Sequence, residues 1–217
     1  MDLNRPLKNK KILITCGPTW VPIDQMRVIS NASTGEIGHR ISHLLSREGA
    51  NTTLVQGPVT HPLRHMPNRI LNFRFFDELS RILLSELKKT SYDVVIHAAA
   101  VSDYKLRKPY TKKINSNLSE FKLDLVPTQK LIQKIKKISP KTFLVGFKLE
   151  SDAKKEFLIA RSETLIQKAK CNLVVVNVAS QKSYTSFIVD EKGDVLSNQH
   201  SKEHMAKDLI EHIRKKL

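Results

Sequence analysis

Cysteine is almost absent from this sequence, which contains only Cys16 and Cys171. The two lie far apart and form no Cys-x-x-Cys pair, so neither a disulfide scaffold nor a cysteine-bound zinc site is expected. His39 and His43 are four residues apart, but the glutamate of a metalloprotease helix is not between them. The sequence therefore predicts no metal site built from protein ligands.

Long hydrophobic runs are also missing, although hydrophobic residues make up 40% of the 217 residues. No apolar stretch approaches the ~18 residues that a membrane-spanning helix needs. The first eleven residues are polar and basic and lack the apolar region of a secretory signal. We therefore expect a cytoplasmic protein that does not associate with a membrane.

Acidic residues are too few to balance the basic ones, because 21 stand against 37 and the formal net charge is +16. Such an excess favours anionic partners, which are nucleic acid, an acidic membrane or phosphorylated small molecules. The basic residues are scattered along the chain, and Trp20 lacks the neighbouring aromatic residues of a base-stacking surface. A nucleic-acid-binding module is therefore a weaker interpretation than a protein that binds phosphorylated small molecules.

Short apolar segments alternate with amphipathic segments along the chain, the pattern of an α/β fold. Strands are predicted at residues 11–16, 52–56, 70–75, 93–99, 121–126, 142–147, 173–177, 184–189 and 194–196. Helices are predicted from residue 36 to residue 49, at 77–89, 127–138 and 154–170, and from residue 202 onward. No repeat or linker interrupts this alternation, so we predict one domain at residues 11–217 after a basic tail at 1–10.

The predicted fold is a doubly wound, largely parallel Rossmann-like sheet with helices on both faces. A hairpin-like turn at residues 191–194 predicts an antiparallel edge near the C-terminus. In such sheets, ligands bind beyond the carboxyl ends of the strands. Polar segments begin at three of those ends, at residues 17–38, 99–119 and 147–152, and the site is expected between them.

The segment Asn31-Ala-Ser-Thr-Gly-Glu-Ile-Gly38 lies where the first predicted helix begins. Its small residues, its helix-opening amides and the hydroxyls of Ser33 and Thr34 are suited to bind an anion. No Lys-Ser/Thr pair follows the glycines as in a Walker loop, and the glycines come too late for a dinucleotide fingerprint. A capped helix with a tight glycine turn is the alternative interpretation.

The segment after Ala99 is basic and aperiodic, and it contains Lys112 and Lys113. A lysine on such a loop is suited to neutralise a polyphosphate or a departing pyrophosphate, and a solvated charged loop is the alternative. Asp103 is either an acceptor for a nucleobase or a turn residue. Cys16 ends the first strand without an identifiable base, so we predict a small buried residue rather than a nucleophile.

Five blocks of sequence occur together in this order. The first runs through Ile14-Thr-Cys-Gly-Pro-Thr19, Pro22-Ile-Asp24, Arg27 and Ile29-Ser-Asn-Ala-Ser-Thr-Gly35, and the second is His97-Ala-Ala-Ala-Val-Ser-Asp-Tyr104. The others are Lys113-Ile114 with Leu125-Val-Pro-Thr-Gln-Lys-Leu131, Gly146-Phe-Lys-Leu-Glu-Ser-Asp152, and the strand that ends at Asn177. From Lys11 onward, the chain therefore resembles the phosphopantothenate–cysteine ligase family.

The resemblance implies a ligation in two steps. The carboxylate of 4'-phosphopantothenate attacks the α-phosphate of CTP, or of ATP in the animal enzymes. Pyrophosphate departs, and the product is an acyl-nucleotide. The amine of cysteine then displaces the nucleoside monophosphate to form an amide. Cationic side chains, helix amides and Mg²⁺ would offset the repulsion among these anions.

The resemblance also implies residue roles. Asn31 would hydrogen-bond the reacting carboxylate, and Lys113 would contact the nucleotide phosphates, so both are expected to be catalytic. The implied nucleotide-binding residues are Ala99, Asp103, Lys113, Gln129, Lys130, Leu131, Phe147 and Lys168. The implied substrate-binding residues are Gly17, Arg27, Asn31, Ser33, Thr34 and Gly35. Arg27 would lie near the substrate phosphate within a homodimer, in which the segment at 24–31 reaches across the interface.

Two departures from the family pattern concern the nucleotide and the domain content. Lys113-Ile-Asn-Ser116 stands where the fused bacterial members have Lys-Ile-Lys-Lys, and Gly146-Phe-Lys-Leu-Glu150 resembles stand-alone and eukaryotic-type members more closely. CTP is expected, with ATP as the alternative. The chain has no room for the flavin-dependent decarboxylase domain of the fused enzymes, so a stand-alone ligase and a separate decarboxylase protein are expected.

A Rossmann-type reductase that binds NADP is the main alternative function, because it shares the order of strand, glycine-containing loop and helix. Three features argue against it. The glycines come too far after the first strand, the Tyr-x-x-x-Lys pair is missing, and no acidic residue ends the second strand.

Overall fold

The computed structural model describes residues 5–60, 66–150, 155–179 and 184–217, except for the side chains of 155, 156 and 179. Ser151 and Asp152, which end the fourth sequence block, lie outside the described residues. The strands are β1 (Lys11–Cys16), β2 (Trp20–Pro22), β3 (Val28–Ser30), β4 (Asn51–Gln56), β5 (Arg69–Asn72), β6 (Val94–His97), β7 (Tyr104–Leu106), β8 (Leu125–Pro127), β9 (Phe143–Glu150), β10 (Leu173–Ala179), β11 (Tyr184–Asp190) and β12 (Val195–Gln199). The helices are α1 (Glu36–Arg47), α2 (Phe76–Lys89), α3 (Ile132–Ile138), α4 (Lys155–Ala169) and α5 (Lys202–Arg214).

Eight of these strands form one sheet in the order β12-β11-β10-β9-β6-β1-β4-β5. Every neighbouring pair from β10 to β5 is parallel, which gives the 3-2-1-4-5-6 order of a doubly wound sheet. β11 and β12 extend it with antiparallel pairs. The predicted fold class, including the antiparallel edge, is confirmed.

Two apolar layers cover the two faces of the sheet. In β1, Leu13 packs into one layer, while Ile12 and Ile14 pack into the other. The first layer receives α2, α3 and α4, and the second receives α1 and α5. Because both faces of the central strands are covered, these strands are continuously apolar in sequence. Within the described residues, no helix combines the length and the apolar character that crossing a membrane requires.

Two short ribbons accompany the main sheet, β2 with β3 and β7 with β8, and both pairs are antiparallel. β2, β3 and β7 have three residues each, too few to show a period, and they lie in segments predicted as irregular, 17–31 and 101–119. The strand predicted at 121–126 overlaps β8 only at residues 125 and 126, because residues 121–124 form no strand. The prediction that a helix begins at Pro127 is wrong, because Pro127 pairs with Tyr104 in β8 and α3 begins at Ile132.

The basic N-terminal segment contributes to the packing before β1 begins. Leu7 is only 1% exposed and packs in the layer that contains α1 and α5. Its backbone N–H donates to the carbonyl of Glu48 at 3.1 Å. Part of the segment predicted as a tail is therefore attached to the domain.

Candidate active site

β1 and β6 lie side by side in the centre of the sheet, and the chain leaves their carboxyl ends toward opposite faces. This is the switch point at which doubly wound sheets bind ligands. The pairing continues past the strands, because Ala98 N donates to the carbonyl of Thr15 at 3.0 Å and Ala100 N donates to that of Gly17 at 2.9 Å. The turns after β1 and β6 therefore run alongside each other.

A cleft of about 220 Å³ opens at this switch point. Its wall combines the start of α1, the turn after β6, the ends of β9 and β10, and the starts of β11 and α5. The lining residues are Ala32, Ser33, Thr34, Gly35, Glu36, Ile37, Gly38, Ala98, Ala99, Ala100, Phe147, Leu149, Asn177, Tyr184 and Lys202. The predicted residues Ser33, Thr34, Gly35, Ala99 and Phe147 are all among them.

Two glycines hold the start of α1 close to the sheet. Gly35 precedes the helix with a φ of 76°, in the left-handed region that favours glycine. A Cβ on Gly38 would lie 2.3 Å from the Cβ of Cys16, so only glycine allows α1 to approach the end of β1 this closely. The amide-bearing first turn of α1 therefore lines the cleft, an arrangement that favours anion binding over the alternative of a merely capped helix.

Asn31 lies beside the cleft, on an exposed segment before α1. Its Nδ2 donates to the carbonyl of Ala100 at 3.2 Å, and its own carbonyl accepts from Ser33 N at 2.8 Å. The side chain thereby joins the segment before α1 to the turn after β6. Gly17, with a φ of 77°, belongs to the same junction between the two turns, because its carbonyl accepts from Ala100 N.

The floor of this region is buried and uncharged. Thr15 Oγ1 and His97 Nδ1 are 2.9 Å apart, and Ala99 N donates to the same hydroxyl at 3.3 Å. Burial lowers the pKa of His97 to about 4, so the imidazole is neutral at physiological pH. Burial also raises the pKa of the Cys16 thiol to about 12, and Cys16 is 1% exposed. These properties agree with a small buried residue and not with a thiolate nucleophile.

A second group of predicted residues lies along β7 and the turn after β8. Lys130 Nζ and Asp103 Oδ1 form an ion pair at 2.5 Å, and Thr128 N donates to the carbonyl of Asp103 at 2.9 Å. Gln129 is exposed in the same turn, and none of these residues lines the cleft. The side chain of Leu131 is 2% exposed and packs in the apolar layer that contains α3, so a contact of Leu131 with nucleotide would have to come from its backbone.

Arg27 and Lys113 form a third group, outside the cleft. An Arg27 guanidinium nitrogen lies 3.4 Å from Asp24 Oδ2, and the same carboxylate oxygen accepts from Ile114 N at 3.0 Å. Lys113, next to Ile114, is exposed. The structure thus places the two predicted cations near each other, but away from the residues that line the cleft.

Lys168 lies apart from the other predicted nucleotide-binding residues. It lies in the last turn of α4, shortly before β10 begins at Leu173. A helix that precedes a parallel strand returns the chain to the amino edge of the sheet, and the cleft is at the carboxyl edge.

Apart from Phe147, the sequence prediction missed the far wall of the cleft. Lys202 Nζ contacts Glu36 Oε2 at 2.5 Å, and Arg40 Nε contacts Glu36 Oε1 at 2.9 Å. Although burial raises the pKa of Glu36, hydrogen bonds from Lys202 and Arg40 lower it overall. Asn177 was visible in sequence as the end of an apolar strand, whereas nothing in the sequence placed Tyr184 or Lys202 beside α1. Across the described parts of the chain, no cluster of three His, Cys, Asp or Glu side chains could hold a metal.

The doubly wound sheet and its switch-point cleft, lined by helix amides and small residues, define a Rossmann-like α/β protein with a site suited to an anion. Residues 7–217 match the family model DFP, the DNA/pantothenate metabolism flavoprotein C-terminal domain. The chain belongs to this family, and the family assignment expected from the five sequence blocks is confirmed.

Similarity to individual proteins agrees with this assignment. The chain is 38% identical over 173 residues to the coenzyme A biosynthesis bifunctional protein CoaBC of Thermococcus kodakarensis, covering 80% of this chain and 42% of that protein. It is 29% identical over 182 residues to CoaBC of Escherichia coli K12, covering 81% and 42%. The DNA/pantothenate metabolism flavoprotein from Streptococcus pneumoniae superimposes with a TM-score of 0.85 at 26% identity, covering 96% of this chain and 100% of that one. The chain thus spans less than half the length of these two CoaBC proteins.

Proposed function

We propose that this chain ligates cysteine to 4'-phosphopantothenate in coenzyme A biosynthesis, by way of an acyl-nucleotide intermediate. The observation that carries the proposal is the cleft at the switch point, where the first turn of α1 meets Ala98–Ala100. Membership in the DFP family supports the choice of reaction. The name of the matched CoaBC proteins, coenzyme A biosynthesis bifunctional protein, supports the pathway.

The first step is the attack of the substrate carboxylate on the α-phosphate of the nucleotide. A new P–O bond forms, the bond to the departing pyrophosphate breaks, and the acyl-nucleotide results. The amides after Gly35 and the hydroxyls of Ser33 and Thr34 line the cleft and can donate to anionic oxygens. The Asn31 amide, beside Ala100, would donate to the reacting carboxylate without adding charge.

The second step forms the amide. The amine of cysteine attacks the acyl carbon, the C–O bond to the nucleoside monophosphate breaks, and the nitrogen loses a proton. Negative charge grows on the acyl oxygen during this attack. Asn31 Nδ2 donates one hydrogen to the Ala100 carbonyl and carries a second that can donate to that oxygen. A donor already in place stabilises the transition state more than the ground state, and we assign this role to Asn31 Nδ2.

The nucleoside is proposed to bind along the far wall of the cleft. Phe147 and Leu149 offer apolar surface there, and Asn177 and Lys202 offer polar groups. CTP is the expected nucleotide, with ATP as the alternative. Mg²⁺ would enter bound to the triphosphate, as part of the substrate, because magnesium in such sites is held largely by phosphate oxygens and water.

Lys113 is proposed to contact the nucleotide phosphates. It lies outside the cleft in this structure, so this contact requires the triphosphate to extend beyond the cleft toward the loop that carries Lys113. We also propose a cytoplasmic enzyme that acts together with a decarboxylase activity. The bifunctional CoaBC proteins extend well beyond the part that this chain matches. This supports a second activity in the part of those proteins that the chain does not match.

An assay of pyrophosphate release tests the proposed function. Release should require phosphopantothenate, Mg²⁺ and a nucleotide, and added cysteine should convert the intermediate to phosphopantothenoylcysteine. Parallel reactions with CTP and ATP identify the nucleotide. No observation favours the NADP-dependent reductase, but NADPH oxidation without pyrophosphate release would establish it and refute the ligase.

A further inference from the structure

The Asp24 carboxylate connects two segments that are distant in sequence. Its Oδ1 accepts from Met26 N and Arg27 N, both at 2.8 Å, within the turn between β2 and β3. Its Oδ2 accepts from Ile114 N at 3.0 Å, in the basic loop between β7 and β8. These backbone donors, Ile114 N foremost, hold the pKa of Asp24 below its ordinary value, so the carboxylate is charged at neutral pH.

Two further contacts join the same two segments. One guanidinium nitrogen of Arg27 lies 3.4 Å from Asp24 Oδ2 within the turn, and its other nitrogen donates across to the carbonyl of Ile114 at 3.4 Å. Tyr110 N donates to the carbonyl of Ile23 at 2.8 Å. The basic loop is therefore fixed three residues before Lys113 and immediately after it, whereas Lys113 itself is exposed.

We propose that Asp24 is a positioning residue for Lys113, a role that rests on the proposed contact of Lys113 with the nucleotide phosphates. A charged side chain on an unattached loop loses conformational freedom when it orders against a ligand, and this loss weakens binding. By holding Ile114 N, Asp24 restricts where Lys113 can lie before nucleotide arrives. The competing explanation is that Asp24 only shapes the β2–β3 turn through Met26 and Arg27.

Asp24→Asn separates these two explanations. The asparagine oxygen can still accept from Met26 N and Arg27 N, so the turn is retained. The amide nitrogen cannot accept from Ile114 N or from the Arg27 guanidinium, so the connection to the loop is lost. Asp124→Asn is the matched control, because it removes the same charge from an exposed pair with Arg107, at 2.7 Å, in the same loop.

Limited trypsin digestion measures the loop without any assay of activity. Trypsin cleaves after Lys112 and Lys113, and cleavage in a native protein reports how often the local segment opens. We expect Asp24→Asn to accelerate cleavage at these bonds by about tenfold, with a melting temperature lowered by no more than a few degrees and unchanged mass in light scattering. Asp124→Asn should be cleaved at the wild-type rate. Equal cleavage of Asp24→Asn and the wild type would overturn the proposal.

A double-mutant cycle with Lys113→Ala tests whether Asp24 acts through Lys113. We expect Lys113→Ala to slow pyrophosphate release at least about tenfold, because a charge-assisted phosphate contact is removed. Asp24→Asn should raise the KM for nucleotide more than it lowers kcat, and the double variant should be no worse than Lys113→Ala alone. Losses that simply add would overturn the positioning role.

The two assays also separate a failure of this proposal from a failure of the proposed function. If Asp24→Asn loosens the loop but Lys113→Ala is fully active, the assigned role of Lys113 is wrong and Asp24 has nothing to position. If Lys113→Ala is impaired but Asp24→Asn neither loosens the loop nor raises the KM, the ligase site stands and the role of Asp24 is wrong.

Discussion

At the scale of single residues, the amide of Asn31 occupies a position where charge matters. Its Nδ2 donates to the Ala100 carbonyl at 3.2 Å, beside the first turn of α1. In Asn31→Asp, a carboxylate would face that carbonyl and repel an anionic substrate. We expect the fold to persist while turnover falls roughly 10²-fold or more, the loss seen when an oxyanion donor is removed. Both half-reactions and the melting temperature should be measured on the same preparation.

Asn51→Asp is the control for this change, because Asn51 is exposed at the start of β4, on the opposite edge of the sheet. It should leave turnover unchanged. A large drop in the melting temperature of Asn31→Asp, with normal turnover of the folded fraction, would instead make Asn31 a scaffold residue.

His97 gives a second prediction at this scale, one that concerns pH. Its folded pKa of about 4 lies below the ordinary value of 6.5, so between these values the unfolded chain binds a proton that the folded chain does not. The contribution of neutral His97 to the free energy of unfolding is therefore fully present above pH 6.5. It is lost as the pH falls toward 4, by up to about 3 kcal/mol.

Urea denaturation of the wild type and of His97→Asn at pH 7 and at pH 4.5 tests this prediction. The asparagine oxygen can replace Nδ1 as a partner of Thr15, but it does not titrate. Carboxylates whose pKa is lowered in the fold also contribute less to the free energy of unfolding in acid, but they do so in both proteins. The difference in pH dependence between the two proteins therefore reports His97 alone. Equal pH dependence in the two proteins would refute the prediction.

At the scale of elements, α1 is positioned by the missing side chain of Gly38. A Cβ there would lie 2.3 Å from the Cβ of Cys16, so Gly38→Ala must move α1 away from β1. We expect the free energy of unfolding to fall by about 1–3 kcal/mol, as in other overpacked interiors, despite the higher helix propensity of alanine. Affinity for nucleotide should also fall, because the first turn of α1 moves with the helix.

Urea denaturation and calorimetric titration with nucleotide measure the two effects. Arg47→Ala, at an exposed position in the last turn of α1, should change each of them little. Unchanged stability of Gly38→Ala would show that α1 can relax without cost, which would contradict the close packing seen here.

Elements with a clear apolar run or period were predictable from sequence, and short ones mostly were not. The buried strand β1 is a continuous apolar run and the amphipathic helix α1 repeats its apolar positions, and both were found. The strands β2, β3 and β7 have no such local pattern, and contacts between segments hold their surroundings, such as the hydrogen bond from Ile114 N to Asp24. The cleft shows the same division. Residues 31–38 and 98–100 are local motifs, whereas Lys202 and Glu36 are in contact although most of the chain separates them in sequence.

At the scale of the whole molecule, the β2–β3 segment leaves apolar side chains uncovered. Met26 is 72% exposed, Val28 41% and Ile29 38%. We propose that these residues pack against a second copy of the chain in a homodimer. Light scattering at micromolar concentration should give twice the chain mass, and Ile29→Asp should shift the protein toward monomer, because a charge is costly in an apolar interface.

Leu196→Asp is a matched control, since Leu196 is an equally exposed apolar residue at 38%, on the edge strand β12. It should not change the mass. A wild-type monomer with full activity would rule out the homodimer, and dissociation by both variants would show that the interface is not formed by this segment in particular.

The strand order also has a consequence for how the chain is made. β1 leaves the ribosome before both of its partner strands, yet it lies in the middle of the finished sheet, with Lys11 opposite Asn51 and Ile12 opposite Val94. Both of its hydrogen-bonding edges stay open until those partners have been synthesised. During that interval, a nascent apolar strand without neighbours is open to intermolecular pairing, so folding depends on how quickly the first helix and β4 shield it.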